Sequence, residues 1–226
     1  MSEIENRRPL KVRDAKLAQR FARWLSQKNV TPNQISIGSV VFAILAAACL
    51  LGIPHVQGPA TWGLPILAAA FIQCRLLCNL FDGMVAVEGG KSTPSGELFN
   101  DIPDRVADPL ILVAAGFATT VVPWAESLGW AAGLGSVMTA YVRTLGAAIG
   151  APVNFCGPMA KQHRMALMTI ACLVTSVEHL FWDRGWSILI TLGVIVAGCV
   201  VTVGRRARFA YVALETGADV EARSDV

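Results

Sequence analysis

Apolar residues in this chain come in long blocks and not as alternation. Six blocks stand out: Ile35 to Ile53, Gly63 to Val87, Gly96 to Val122, Leu128 to Ile149, Met159 to Val177 and Ser187 to Val203. Each is near the ~20 residues that carry an α-helix across a bilayer. Blocks of this kind point to membrane helices and away from a β-barrel, whose strands alternate. Ahead of them, 11–27 reads KVRDAKLAQRFARWLSQ. At helical spacing Leu17, Phe21, Trp24 and Leu25 share one face, with Lys16, Arg20 and Arg23 on its flank. That pattern predicts an amphipathic helix lying in the membrane interface; an ordinary juxtamembrane helix that only sets topology fits it equally well. Thr31-Pro32 precedes the first block, Thr31 as N-cap and Pro32 at the first helical position. The expected fold is an all-α integral membrane protein with six transmembrane helices behind an N-terminal amphipathic interfacial helix. Its parts are a cytoplasmic amphipathic segment over 1–30, a six-helix domain over 31–208 and a cytoplasmic tail over 209–226, small, polar and mobile after Glu215.

Charge distribution adds sidedness. Only 15% of residues are charged and 54% are hydrophobic, against about 25% charged in soluble domains. The basic residues gather at Arg7 to Lys28 and Arg205 to Arg208, as expected for contact with anionic lipid and not with nucleic acid. The segments His55 to Trp62 and Pro123 to Gly129 carry no Lys or Arg, whereas Lys91, Lys161 and Arg164 fall in the other connections. Positive-inside counting puts both termini in the cytoplasm, with Arg184 the one basic residue on the far side, beside Asp183. The polar N-terminus lacks the apolar core of a cleavable signal peptide. The six cysteines lie mostly in apolar runs; Cys74 and Cys78, one turn apart, lack partners for a soft metal and read as packing residues.

The chemistry concentrates between Asn79 and Asp108: NLFDGMVAVEGGKSTPSGELFNDIPDRVAD. Acids beside a bilayer are expensive and mark functional sites. Arg75, Asn79, Asp82 and Ala86 fall at i, i+4, i+7 and i+11, one stripe of a helix. Arg75, the deepest, needs an acceptor, which Asn79 and Asp82 are near enough to supply. Gly83 and Ala86 remove bulk beside the acid, so that a flat group such as a nucleobase can approach the backbone. Glu97, Asp101, Asp104 and Asp108 repeat the same spacing on the next helix, with Asn100 at the stripe's edge and Arg105 pointing elsewhere. Four acids on one face repel unless a cation or a basic residue sits among them, a hard cation being the simplest compensation. Carboxylate and amide oxygens suit Mg²⁺ or Mn²⁺ better than zinc. Taken singly, Glu97 or Asp101 is as well explained by capping or solvation. Pro103 and Pro109 interrupt backbone hydrogen bonding; a helix beginning only at Asn100 tolerates Pro103 and takes Glu97 off the stripe.

The run N79-x2-D82-G83-x2-A86-V87-x8-G96-x3-N100-x3-D104 resembles the signature of the CDP-alcohol phosphatidyltransferases, D-x2-D-G-x2-A-R-x8-G-x3-D-x3-D. The spacing fits throughout, and TPNQIS at Thr31 to Ser36 is similar to the family's TPNxIT segment. Asn79, Asn100 and Val87 depart from the pattern, as in a divergent bacterial subgroup that it resembles. The resemblance implies transfer of a phosphatidyl group from a CDP-linked lipid such as CDP-diacylglycerol to an alcohol acceptor, with release of CMP. It implies divalent metal (Mg²⁺ or Mn²⁺) held by Asn79, Asp82, Asn100, Asp101 and Asp104. It also implies cytidine lying against Gly83 and Ala86, with Gly96 in the CDP-lipid site. Asp104 is aligned with the family's last aspartate as general base, and Asp108, one turn deeper, is a second candidate. A homodimer in the bacterial cytoplasmic membrane, its active site facing the cytoplasm, belongs to the same expectation. Arg143, Lys161 and Arg164 are placed to bind the phosphate of glycerol 3-phosphate or a polyol phosphate; snorkelling to lipid, or pairing of Arg143 with an acid, fits them as well. His163 is a possible proton shuttle, though an isolated interfacial His is more often solvated.

Three rivals frame this reading. An intramembrane prenyltransferase wants tighter Asp-rich clusters than this chain has. A transporter should show internal repeats, and none is convincing. A catalytically impaired family member that binds CDP-lipid, or scaffolds lipid enzymes, is favoured by Asn79, Asn100 and Val87, and opposed by Asp82, Gly83, Asp104 and the additional acids.

Overall fold

The computed structural model describes residues 16–28, 30–88, 96–178, 180–182 and 185–224. These residues form seven helices and no strand: α1 (Lys16–Gln27), α2 (Pro32–Gly52), α3 (Ala60–Glu88), α4 (Gly96–Ala118), α5 (Ala125–Ala148), α6 (Lys161–Glu178) and α7 (Trp186–Ser224), with a single 3₁₀ turn at Ile53–His55. α2 starts at the expected cap. Gln34 donates its backbone N–H to Thr31 Oγ1 at 3.2 Å, and the Thr31 N–H returns a bond to Gln34 Oε1 at 3.0 Å, closing a capping box.

α2 packs on α3 and α4, α4 on α5, α5 on α7, α7 on α6, and α6 back on α3. The six long helices therefore close a ring, with α4 also touching α7 across it. Small side chains allow the closest approach. A methyl group on Gly116 of α4 would meet the backbone of Gly129 of α5 at 2.9 Å, and one on Gly129 would meet Gly116 at 2.8 Å. Helices in lipid gain stability mainly from such contact, because their surroundings are as apolar as their side chains. The ring's outer face carries Ile37, Val41, Leu134, Ile170, Ile190 and Val200, all exposed. An apolar surface of that extent belongs in a bilayer.

By length and composition, α2, α3 and α7 among the described residues can cross a membrane. α4 and α6 fall short because of the charges they bring into the interior, and α5 because Gly, Ser and Thr replace larger apolar residues along it. α1 docks at the C-terminal end of α3, where Ala22 is buried with Leu80, Met84 and Val85 and Phe21 lies 4.7 Å from the ring of Phe81.

One boundary agrees with the sequence expectation and one differs. α4 begins at Gly96, where the third apolar block begins, and not at Asn100; it runs through both Pro103 and Pro109, packed on α2 and α5. α7 continues as a helix to Ser224 where a polar tail was expected; no Pro or helix-stopping motif interrupts it after Val203. The loop 89–95 with Lys91, and the pair Asp183 and Arg184, lie outside the described residues, as do the side chains of Val87 and Glu97.

Candidate active site

α3 delivers Arg75, Asn79 and Asp82 from one stripe, and α4 delivers Asp101, Asp104 and Asp108 from another. They meet at the end of the ring that also holds α1, the start of α6 and the Arg-rich stretch of α7. Asp82, Asp104 and Asp108 are 3%, 6% and 1% exposed. Acids this dry are tolerated only with partners for each oxygen.

The partners of Asp104, Asp108 and the half-exposed Asp101 come from four helices. Arg75, fully buried, places Nη2 2.7 Å from Asp104 Oδ1 and 2.7 Å from Asp108 Oδ1. Asn79 donates Nδ2 to the same Asp104 oxygen at 3.0 Å. Lys161, at the start of α6, donates Nζ to Asp104 Oδ2. Arg164, one turn later, donates Nη2 to Asp108 Oδ2 at 2.7 Å. Its Nη1 donates to the Met159 carbonyl at 2.9 Å and to Thr139 Oγ1 at 3.2 Å. Asp101, half-exposed, accepts from Arg105 at 2.6 Å and from Arg143 at 3.2 Å. Arg143 also lies over the ring of Phe155, 5.2 Å from its centroid.

These contacts change the sequence expectation in three places. Arg75 finds its acceptors on α4, not in Asn79 and Asp82 on its own helix, because a long side chain from the middle of α3 reaches across the interior of the ring. Arg105 does not point away; it sits four residues after Asp101 and bonds to it. The repulsion expected along α4 is relieved by arginine and lysine side chains, the alternative to the hard cation that is the simplest compensation. Asn100 is exposed, and among the described residues no hydrogen bond joins Asn100 or Asp101 to Asp82 or Asp104.

Asp82 is held differently. Ser36 Oγ on α2 donates to Asp82 Oδ2 at 2.7 Å, and the Gly83 N–H lies 2.5 Å from Oδ1. Among the described residues it has no ion pair. Ser36 is a site residue that sequence reasoning quoted only as part of TPNQIS; nothing in the spacing told that it would reach an acid 46 positions away. Gly83 and Ala86 are half-buried beside Asp82, and Gly96 is half-buried at the start of α4.

The connection from α5 to α6 sets where Lys161 and Arg164 begin. Gly157 has φ of 110°, a left-handed conformation that glycine adopts without strain, and a methyl group there would meet Thr202 at 2.6 Å. Thr202 Oγ1 accepts from the Met159 N–H at 3.0 Å, and Arg206 donates Nε to the Cys156 carbonyl at 3.0 Å and Nη1 to the Thr139 carbonyl. Arg206 had read from the sequence only as a topology-setting charge. His163 Nδ1 lies 2.6 Å from the Pro158 carbonyl oxygen, facing this loop.

A divalent ion fits the donor chemistry in one respect. Asn79 spends its amide N–H on Asp104, and its carbonyl oxygen Oδ1 is buried without a hydrogen-bond partner. An orphaned amide oxygen one turn from Asp82 is a hard donor of the kind Mg²⁺ and Mn²⁺ prefer. Among the described residues no three His, Cys, Asp or Glu side chains group closely enough to enclose a metal ion by themselves.

No protein-family model matches the chain. A curated relative, archaetidylinositol phosphate synthase of the archaeon Aeropyrum pernix, is 27% identical over 170 residues, covering 74% of this chain and 78% of the relative. Among solved structures, the fold is that of phosphatidylinositol phosphate synthase from Mycobacterium tuberculosis. With CDP-DAG bound, that enzyme matches with a TM-score of 0.69 at 17% identity, over 87% of this chain and 94% of the other. Its complex with manganese and citrate matches with a TM-score of 0.71 at 16% identity, over 86% and 88%.

Proposed function

We propose that this chain, a member of the CDP-alcohol phosphatidyltransferase family, works in a membrane by transferring the phosphatidyl group of a CDP-linked lipid to the hydroxyl of a phosphorylated alcohol, releasing CMP. One observation carries the reading. The first and last motif positions, 25 residues apart, are in hydrogen-bond contact through Asn79 Nδ2 and Asp104 Oδ1, so the two halves of the motif make one site.

In this reading Asn79 Oδ1, Asp82 and Asp104 face the pyrophosphate, with Gly83 and Ala86 leaving room for the cytidine. A divalent cation held there, Mg²⁺ or Mn²⁺, would neutralise charge on the departing CMP. Asp104 accepts the proton of the attacking hydroxyl; its Oδ2 faces Lys161, the more accessible side of the acid pair. Asp108, with both oxygens against buried guanidinium groups, fits an anchor better than a base. Arg143 and Lys161, each about a quarter exposed on its side chain, are the cations an acceptor phosphate can reach. Arg164, 2% exposed, fixes Asp108. Asn100 and Asp101, at the rim, are assigned to the acceptor side and not to the metal. The names of the relatives favour an inositol phosphate as acceptor, with glycerol 3-phosphate the alternative. All six long helices span the membrane in this proposal, with the site on the cytoplasmic side of a bacterial inner membrane, α1 lying in the interface, and the chain acting as a homodimer.

The test is CMP release from CDP-diacylglycerol by purified protein in nanodiscs, with and without Mn²⁺, against inositol phosphate, glycerol 3-phosphate, serine and glycerol. Metal-dependent release with a phosphorylated acceptor, lost in Asp104→Asn, supports the reading. Binding of CDP-lipid with no CMP from any acceptor would shift it to a member that binds without turnover.

A further inference from the structure

The end of the ring opposite the acid cluster carries a further buried carboxylate, which the transfer chemistry does not use. Glu178 closes α6 and is 1% exposed. Its Oε1 accepts from Trp182 Nε1 at 3.0 Å, from the Ser187 N–H at 2.8 Å and from Ser187 Oγ at 2.9 Å. Its Oε2 accepts from the Gly185 N–H at 2.8 Å. All four donors belong to the turn into α7 or to the first turn of α7, where negative charge is favoured. The Glu178 carbonyl also accepts from the Phe181 and Trp182 N–H groups, at 3.0 and 3.1 Å. The turn is thus folded around one glutamate, with these polar groups directed inward. Outward it shows Leu180, Phe181 and Trp182, which are 67%, 72% and 57% exposed.

Three observations say what covers those side chains. The exposed stripe of α6, Ile170, Leu173, Val174 and Val177, runs on at helical spacing into Leu180 and Phe181, so the turn continues the outer apolar face of the ring. α6 is also short. Its 18 residues rise about 27 Å, of which the apolar part from Met165 to Val177 supplies about 20 Å, against about 30 Å of hydrocarbon. Exposed tryptophans stand at the same end, at or near the starts of α3, α5 and α7: Trp62, Trp124, Trp130 and Trp186. Tryptophan gathers at the boundary of membrane and water.

We propose that the α6–α7 turn is a lipid anchor. Leu180, Phe181 and Trp182 insert between headgroups and acyl chains of the leaflet opposite the site, giving α6 the apolar height it lacks. Glu178 is the internal cap that lets the turn leave water, and its own charge is tolerated there because four donors face it. The inference rests on the membrane-spanning placement of the ring and not on the transfer reaction.

The experiment puts a nitroxide label at position 181 (Phe181→Cys) in the full chain, with Cys74, Cys78 and Cys156 replaced by alanine, in nanodiscs of phosphatidylcholine and phosphatidylglycerol. Electron paramagnetic resonance reads the label's collisions with oxygen, which concentrates in lipid, and with a water-soluble nickel(II) chelate. Val194→Cys, on the outer face of α7, and Glu215→Cys, near its far end, are the lipid and water references. The expected oxygen-to-nickel ratio at position 181 lies between the references and several-fold above that at 215. Adding Glu178→Gln places an amide NH₂ among the four donors, so the label moves faster and gains nickel access. A ratio at 181 equal to that at 215 overturns the inference. Exclusion of both reagents also overturns it and gives the face to a second copy or another protein. A label unchanged by Glu178→Gln overturns the role of the cap. An aqueous signal at position 194 removes the membrane-spanning placement as well, whereas CMP release tests the transfer reaction separately.

Discussion

Arg75 of α3 and Asp104 of α4 lie 2.7 Å apart, with the arginine side chain fully buried. The same nitrogen reaches Asp108, so one guanidinium joins the acid that faces the reaction to the acid that anchors the interior. Removing one partner of a buried ion pair leaves the other charge uncompensated, which costs about 3–5 kcal/mol.

Arg75→Met is therefore expected to lower unfolding free energy by about 3–5 kcal/mol. Arg75→Lys recovers only part of this, since an ammonium lacks the planar fork of the guanidinium. Thermal unfolding in detergent checks both, and a Met variant as stable as the parent would contradict the ion-pair assignment.

Asp104 and Asp108 should separate by phenotype. Asp104→Asn removes the proposed base and is expected to reduce CMP release by about 10²–10⁴-fold. Asp108→Asn leaves Arg75 and Arg164 short of a counter-charge, so its main effect is a lower unfolding temperature. Equal loss of rate in the two variants, with stability unchanged in each, would assign the proton transfer differently.

Ser36→Ala tests the hold on Asp82. A hydrogen bond to a charged group contributes about 1.5–3 kcal/mol, so the metal concentration giving half-maximal CMP release should rise by about tenfold or more. Global stability should fall as well, by no more than this contribution, because Ser36 is buried and its loss leaves Asp82 short of a donor. A metal titration of the variant beside the parent reads this directly.

Gly129→Ala tests the α4–α5 crossing. The added methyl meets the Gly116 backbone at 2.8 Å, so the helices must part, at a cost of about 1–3 kcal/mol. Gly193→Ala, where a methyl would meet nothing within 4 Å, is the control expected to unfold as the parent does. The pair is compared by thermal unfolding.

Spacing along single helices was legible without a structure. The cap at Thr31, the stripe of Asn79 and Asp82 and the stripe of Asp101, Asp104 and Asp108 follow from 3.6-residue periodicity, a property of the local backbone. The six apolar blocks appear as six long helices for the same reason. Which side chain meets which acid was not legible. Ser36 reaches Asp82 from a neighbouring helix. Arg75 crosses to Asp104 and Asp108, and Lys161 and Arg164 arrive from more than 50 positions away, because long side chains converge in the interior of the ring from helices that are not packed on one another. The sequence alone determined a helical membrane chain with an acid-rich motif on two consecutive helices. Tertiary packing decided that the same acids are largely neutralised by arginine and lysine, since charges buried in a low-dielectric interior persist only where the fold supplies their partners.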